Sequence, residues 1–234
     1  MKESSSSTSH IRLVELVGPA GAGKTTLSKA LRQRSGKIVI GPEISLRKME
    51  SVFIFLTYFP TVLPFLFRWK RNCRWFTWDE IKAMIYLKGW QRVLKRQAAK
   101  NGVTVLLDHG PVFKLATLYA FGPECFRSKV AEKWLSDVIR QWAVLLDAII
   151  WLDAPDSILE NRINAREQRH VVKGETELKV SQFLARYRAS YQHMITSLTV
   201  KDGPALYPFD TRQTSLEEVV EKILVICNVG ASGD

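Results

Sequence analysis

Eight residues near the start of the chain, Gly18-Pro19-Ala20-Gly21-Ala22-Gly23-Lys24-Thr25, follow the spacing G-x-x-x-x-G-K-[ST]. Glycines at this spacing let successive backbone N–H groups curl around phosphate oxygens, and a helix starting there adds its positive N-terminal end. Lys24 is then suited to the β- and γ-phosphates of a nucleoside triphosphate, and the Thr25 hydroxyl to Mg²⁺. Thr26, the next residue, completes the set expected to hold the phosphates.

Moving a phosphoryl group asks for cations over the migrating charge and carboxylates beside metal and acceptor. Arg162, Arg166 and Arg169 fall at i, i+4 and i+7. On one helix they share a face, either converging on a single polyanion or forming a solvated surface paired with Glu167. Asp108 closes an apolar run and precedes His109-Gly110-Pro111. It suits three tasks: holding Mg²⁺ through water, orienting an acceptor hydroxyl, or capping the next helix. Glu43 follows Gly41-Pro42 and is a second carboxylate at the end of an apolar run, where a turn or helix-start role fits equally well. Asp153 and His109 read as structural.

These residues need a frame that brings them together. Residues 11–17, 37–40, 103–108, 148–153 and 205–210 are short apolar runs that predict strands, the last interrupted by Pro208. Helical patterns separate them. Thr77-x-x-Glu80 and Ser215-x-x-Glu218 have capping-box spacing, the first opening a helix expected to end near Asn101-Gly102 and the second opening the last helix. Alternation of strand and helix predicts a mainly parallel sheet covered on both faces, hence an α/β three-layer sandwich. One domain is expected over residues 11–228, with a Ser-rich tail at 1–10 and a flexible tail at 229–234. The polar start has no apolar core of a secretory signal.

The 234 residues carry a formal +11, and residues 46–100 hold twelve basic against three acidic side chains, a local +9. Such a patch suits an anionic substrate, nucleic acid or a membrane surface, or is simply a solvated face. Inside it, residues 52–67 form an uncharged apolar run containing Pro60 and Pro64. The run is shorter than the ~20 residues of a spanning helix, and the prolines predict a break, so two short buried helices are expected. Contact with a bilayer surface is the lesser alternative. Cys73, Cys125 and Cys227 are scattered without a CxxC pair, which predicts neither a disulfide framework nor a zinc site and fits a reducing cytoplasm.

A phosphate loop by itself does not separate kinases from GTPases or motor ATPases. No Asn-Lys-x-Asp signature for guanine occurs, and the chain is short for a multidomain motor. Over residues 11–227 the sequence resembles the thymidylate kinase and deoxynucleoside kinase branch of P-loop kinases. The likeness rests on the phosphate loop, Gly41-Pro42-Glu43, Asp108-His109-Gly110-Pro111, and the segment WLDAPDSILENRINAREQRH at 151–170. The resemblance implies five parallel strands in the order 2-3-1-4-5, a helical acceptor-side insertion at 46–100, and an arginine lid at about 162–175. In that lid Arg162 and Arg166 close over ATP, with Arg169 and His170 at its edge. It also implies that Glu43 is the alternative to Asp108 as the base taking the acceptor's proton. Similar kinases carry arginine after the acidic residue, whereas His109 stands here, which leaves the acceptor's identity open.

The expected function is ATP- and Mg²⁺-dependent phosphate transfer to a small acceptor, the oligomeric state being left open, a homodimer included. The alternative is a P-loop ATPase or ATP-binding switch whose basic, aromatic insertion binds nucleic acid or a membrane surface.

Overall fold

In the computed structural model the described residues are 13–41, 49–70, 73–98, 103–167 and 170–227. Glu43 and Arg169 lie outside them. Five strands, β1 (Leu13–Val17), β2 (Ile38–Ile40), β3 (Thr104–Leu107), β4 (Ala148–Asp153) and β5 (Ala205–Asp210), form one sheet in the order β2-β3-β1-β4-β5. Every pairing is parallel. Pro208 is tolerated because β5 is the edge strand.

The period-2 alternation of β1 explains the two cores. Leu13 and Val17 face one side with Val105, Leu107 and Ile149, while Val14 and Leu16 face the other with Leu106, Ile150 and Leu152. The first side packs on α3 (Trp78–Gly89), α5 (Pro111–Phe121), α6 (Lys129–Ala143) and α8 (Glu177–Leu198). The second packs on α1 (Lys24–Arg34), α7 (Asp156–Asn164) and α9 (Leu216–Ile226). Both capping sites form. Thr77 and Glu80 make a complete capping box, and the Ser215 hydroxyl accepts from Glu218 N at 3.2 Å.

The segment between β2 and β3 departs from expectation. A single helix, α2 (Met49–Lys70), runs through both prolines. Pro60 and Pro64 are four apart on its exposed side, so the carbonyls they leave without donors, those of Leu56 and Pro60, share the side that water reaches. Ile54, Val62 and Leu66 are buried on the opposite side, and their packing offsets the lost helix bonds. The helix opened by Thr77 is also shorter than expected. It stops at Gly89, Trp90 turns, and α4 (Gln91–Ala98) follows. A Cβ at Gly89 would lie 2.5 Å from Ile54 Cγ2 and 2.7 Å from Tyr58 Cδ2, so glycine lets α3 pack closely on α2 here. Among the described residues no helix is long and apolar enough to cross a membrane.

Candidate functional site

The phosphate loop turns between β1 and α1. Gly18 has φ +145°, and a Cβ there would lie 2.0 Å from the Leu152 carbonyl oxygen on β4, so only glycine lets the loop leave the sheet at this point. Lys24 opens α1, and its ammonium donates to the carbonyls of Gly18 (2.7 Å) and Pro19 (2.9 Å). Burial lowers its pKa to about 8; Asp108 pulls it upward and Arg166 pushes it further down. Lys24 is therefore within electrostatic reach of both a carboxylate and an arginine. Thr25 and Thr26 follow, exposed on the first turn of α1.

Asp108 comes one residue after β3, the neighbour of β1. Its Oδ1 is buried and has no hydrogen-bond partner among the described residues. The capping role considered for it belongs elsewhere. Glu15, in the middle of β1 and fully buried, accepts the N–H groups of Val112 and Phe113 in the first turn of α5, each at 2.9 Å. A Cβ at Gly110 would lie 2.6 Å from the Glu15 carboxyl carbon, so glycine is required where the turn crosses this side chain. Burial raises the Glu15 pKa to about 8 against the pull of the Phe113, Val112 and Gly110 N–H groups and of Lys114. Sequence reasoning passed over Glu15, although an acid in the run LVELV must find partners if both faces of the strand are covered. His109 is exposed and packs edge-on against Phe113 at 4.5 Å.

The expected arginine face is broken by the end of its helix. α7 stops at Asn164, and Arg166 sits beyond it, its N–H reaching the Ile163 carbonyl at 3.4 Å in the tighter turn of a helix end. Asn164 Oδ1 then accepts from Gly174 N at 3.2 Å, folding the following segment back on the helix end. Arg162 is on α7 and donates to Thr211 Oγ1 (2.9 Å), Thr211 O (3.0 Å) and, more weakly, Gly21 O (3.4 Å). It thus ties the phosphate loop to the turn between β5 and α9. Arg166 acts electrostatically on both Lys24 and His170, and His170, with burial the first cause, has a lowered pKa. Arg162 and Arg166 share a cavity of about 670 Å³ with Gly21, Thr26, Gln213 and Thr214. The β5–α9 residues of this cavity carry no sequence signature and were missed.

A second cavity, about 490 Å³, opens on the β2–β3 side and is lined by Gly41, Asp108, His109, Phe113, Thr117 and others from α3 and α5. Asp153 is structural, as expected. It receives the Arg188 guanidinium of α8 at 2.9–3.2 Å, and the same fork reaches Asp156 and the Ala154 carbonyl (2.8 Å). The residue before it, Tyr187, meets the Thr117 hydroxyl at 3.1 Å.

The residues present fit Mg²⁺ beside a triphosphate: the loop itself carries a cation at Lys24 and an exposed hydroxyl residue at Thr25, and Asp108, within electrostatic reach of Lys24, has an unpartnered, buried carboxylate oxygen. Among the described residues no group of three or more His, Cys, Asp or Glu side chains could hold a metal by itself.

Comparison with known proteins places this geometry. Thymidylate kinase from Candida albicans superposes with a TM-score of 0.55 at 14% identity over 94% of this chain and 92% of that one. Deoxyadenosine kinase from M. mycoides, with the products dCMP and dCDP bound, gives 0.52 at 17% identity over 92% and 98%. Shikimate kinase from Bacteroides thetaiotaomicron gives 0.50 at 14% over 94% and 99%. No curated protein matches in sequence. At these identities the likeness establishes the fold, which is that of the small-molecule P-loop kinases. The model of the family described as AAA domain matches residues 13–193, and the chain belongs to that P-loop family.

Proposed function

We propose that the chain is a phosphotransferase that uses ATP and Mg²⁺ to phosphorylate a small acceptor. One observation carries the reading: Asp108 and Arg166, whose charges both act on Lys24, line two separate cavities. A transferring phosphate needs donor and acceptor on opposite sides of one cationic point. In this reading the larger cavity takes the nucleotide and the smaller one the acceptor.

The phosphate loop and Lys24 would hold the β- and γ-phosphates, and Thr25 and Asp108 would hold Mg²⁺. Bound Mg²⁺ would supply charge neutralisation on the phosphate oxygens. In this reading Asp108 also takes the acceptor's proton as the new P–O bond forms and the bond to the leaving ADP breaks; Glu43 is the alternative base. Arg166 neutralises charge as it builds on the moving phosphoryl group, and Arg162 keeps the loop and the β5–α9 turn in register around the nucleotide.

A second reading, an ATP-binding switch that docks on a surface, is favoured by the outer face of α2, where Phe53 and Leu56 are 71% and 67% exposed. One experiment separates the two. The full chain is incubated with Mg²⁺ and ATP and, in parallel, with a panel of nucleosides, nucleotides, sugars and other hydroxyl or phosphate acceptors, with nucleic acid, or with anionic vesicles. ADP release and product mass are read. Acceptor-dependent ADP with a phosphorylated product is expected. ADP release indifferent to every acceptor but raised by nucleic acid or vesicles would overturn the kinase reading in favour of the switch.

A further inference from the structure

Cys73 and Cys125 are 52 positions apart in sequence, yet their sulfurs lie 2.6 Å from one another. Cys73 is half-buried in the link between α2 and α3, and Cys125 is buried in the 3₁₀ turn Glu124–Arg127 that follows α5. Neither had shown a partner in the sequence. The covalent S–S distance is about 2.0 Å, so bonding asks for a shift of about half an ångström.

The surroundings already hold the two segments together without a covalent link. Arg74, next to Cys73, donates to the Phe121 carbonyl at 3.1 Å and to both oxygens of Glu80 at 2.6 and 3.1 Å. Phe76 meets Phe126 edge-on at 6.0 Å. The Arg74 side chain is exposed, so its ion pair is a weak, salt-sensitive tie. Apart from Gly41, every residue lining the smaller cavity falls between positions 73 and 125. A bond between the two sulfurs would therefore close into one ring the chain from α3 to α5, which builds almost all of that cavity, and would leave the phosphate loop and the β5–α9 turn outside it.

We propose that Cys73 and Cys125 form a reversible dithiol–disulfide site, oxidised by a small-molecule disulfide such as glutathione disulfide, that locks the acceptor side of the protein. Cys73, the more accessible sulfur, loses its proton to solvent and attacks one sulfur of the small disulfide, breaking that bond and releasing one thiolate. Cys125 then gives up its proton and attacks the Cys73 sulfur, releasing the second thiolate. Two protein thiols become one disulfide, and the small disulfide is reduced to two thiols. This order suits the environment, because burial and the hydrogen bond with Cys73 push the Cys125 thiol up to about 12 and leave it the slower first nucleophile.

The test uses the full chain, reduced and then exposed to glutathione disulfide. Denatured protein is alkylated and mapped by mass spectrometry. The expected result is a linked Cys73–Cys125 peptide pair, alkylation of Cys227 alone, and a thermal midpoint raised by roughly 8–16 °C, all reversed by dithiothreitol. Alkylation of all three cysteines, glutathione left on Cys73 with Cys125 still alkylated, or a chain-to-chain link would overturn the proposal. Cys73→Ser should abolish the thermal shift and Cys227→Ser should keep it; should either variant fail to fold, the wild-type map decides alone. A consequence for the acceptor rests on the phosphotransferase reading: the mapped disulfide should change KM for the acceptor severalfold and KM for ATP less than twofold. An unchanged acceptor KM would overturn the lock while leaving both the bond and the kinase activity on record. Mapping and melting need no activity, so failure of the site and failure of the kinase reading are seen separately.

Discussion

The Arg162 guanidinium grips Thr211 twice, at its hydroxyl (2.9 Å) and at its carbonyl (3.0 Å). An arginine read from the sequence as a lid cation is thereby engaged with the turn after β5. Arg162→Ala removes both bonds and frees that turn from the phosphate loop. It should weaken ATP binding about tenfold and lower stability by ~1–2 kcal/mol, as measured by calorimetry and denaturant unfolding. Arg166→Ala makes the contrasting control, since Arg166 has no such anchor through its guanidinium among the described residues; kcat should fall by more than ATP affinity does. Equal effects of the two variants on kcat and on affinity would contradict the different placements.

Lys24→Met should abolish phosphate transfer while leaving the fold intact, because it removes the cation from the phosphate site and Lys24 belongs to neither core. The pH dependence follows from its lowered pKa of about 8. Free protein holds the proton below about pH 8 and loses it above, so kcat/KM for ATP should fall about tenfold per pH unit beyond that point. Lys24→Arg, which does not titrate there, should lack this limb at whatever activity it retains.

Glu15→Gln tests the buried carboxyl. Its pKa is raised to about 8 in the fold and is near 4.5 without it, so between those values the folded protein holds a proton that the unfolded chain has given up. Stability should therefore fall as the pH rises through this window, by at most about 1.4 kcal/mol per pH unit from this one group. The glutamine variant should lose that slope in urea titrations at pH 5, 6, 7 and 8. An unchanged slope would mean that other groups set it.

Pro60→Ala returns an N–H to the exposed side of α2 and lets it bond the Leu56 carbonyl. Stability should rise by ~1–3 kcal/mol by thermal and chemical unfolding. A fall would indicate that the helix depends on the proline's own packing.

What could be read from the sequence and what could not divide along physical lines. The phosphate loop, the five strands and the caps at Thr77 and Ser215 are local: each depends on a few neighbouring residues, so spacing alone revealed them. The run through Pro60 was misread because a local rule against proline was overridden by packing of Ile54, Val62 and Leu66, which no window of sequence displays. Arg166 was placed on a helix because i, i+4 spacing cannot announce where the helix stops. The Glu15 donors, the Thr211 grip and the Cys73–Cys125 approach each join residues at least 49 positions apart. Such pairs exist only once the sheet has brought its strands together.

Neighbouring residues of α8 reach in two directions: Arg188 holds the end of β4 and the start of α7, which carries Arg162, while Tyr187 meets Thr117 at the smaller cavity. Adjacent positions of one helix move together, so on the phosphotransferase reading α8 is the lever by which a shift of Thr117 would reach the nucleotide side. If occupancy of one cavity tightens the other by some factor, thermodynamic reciprocity requires the same factor in the opposite direction. Cutting the lever with Tyr187→Phe should then bring both ratios toward one together.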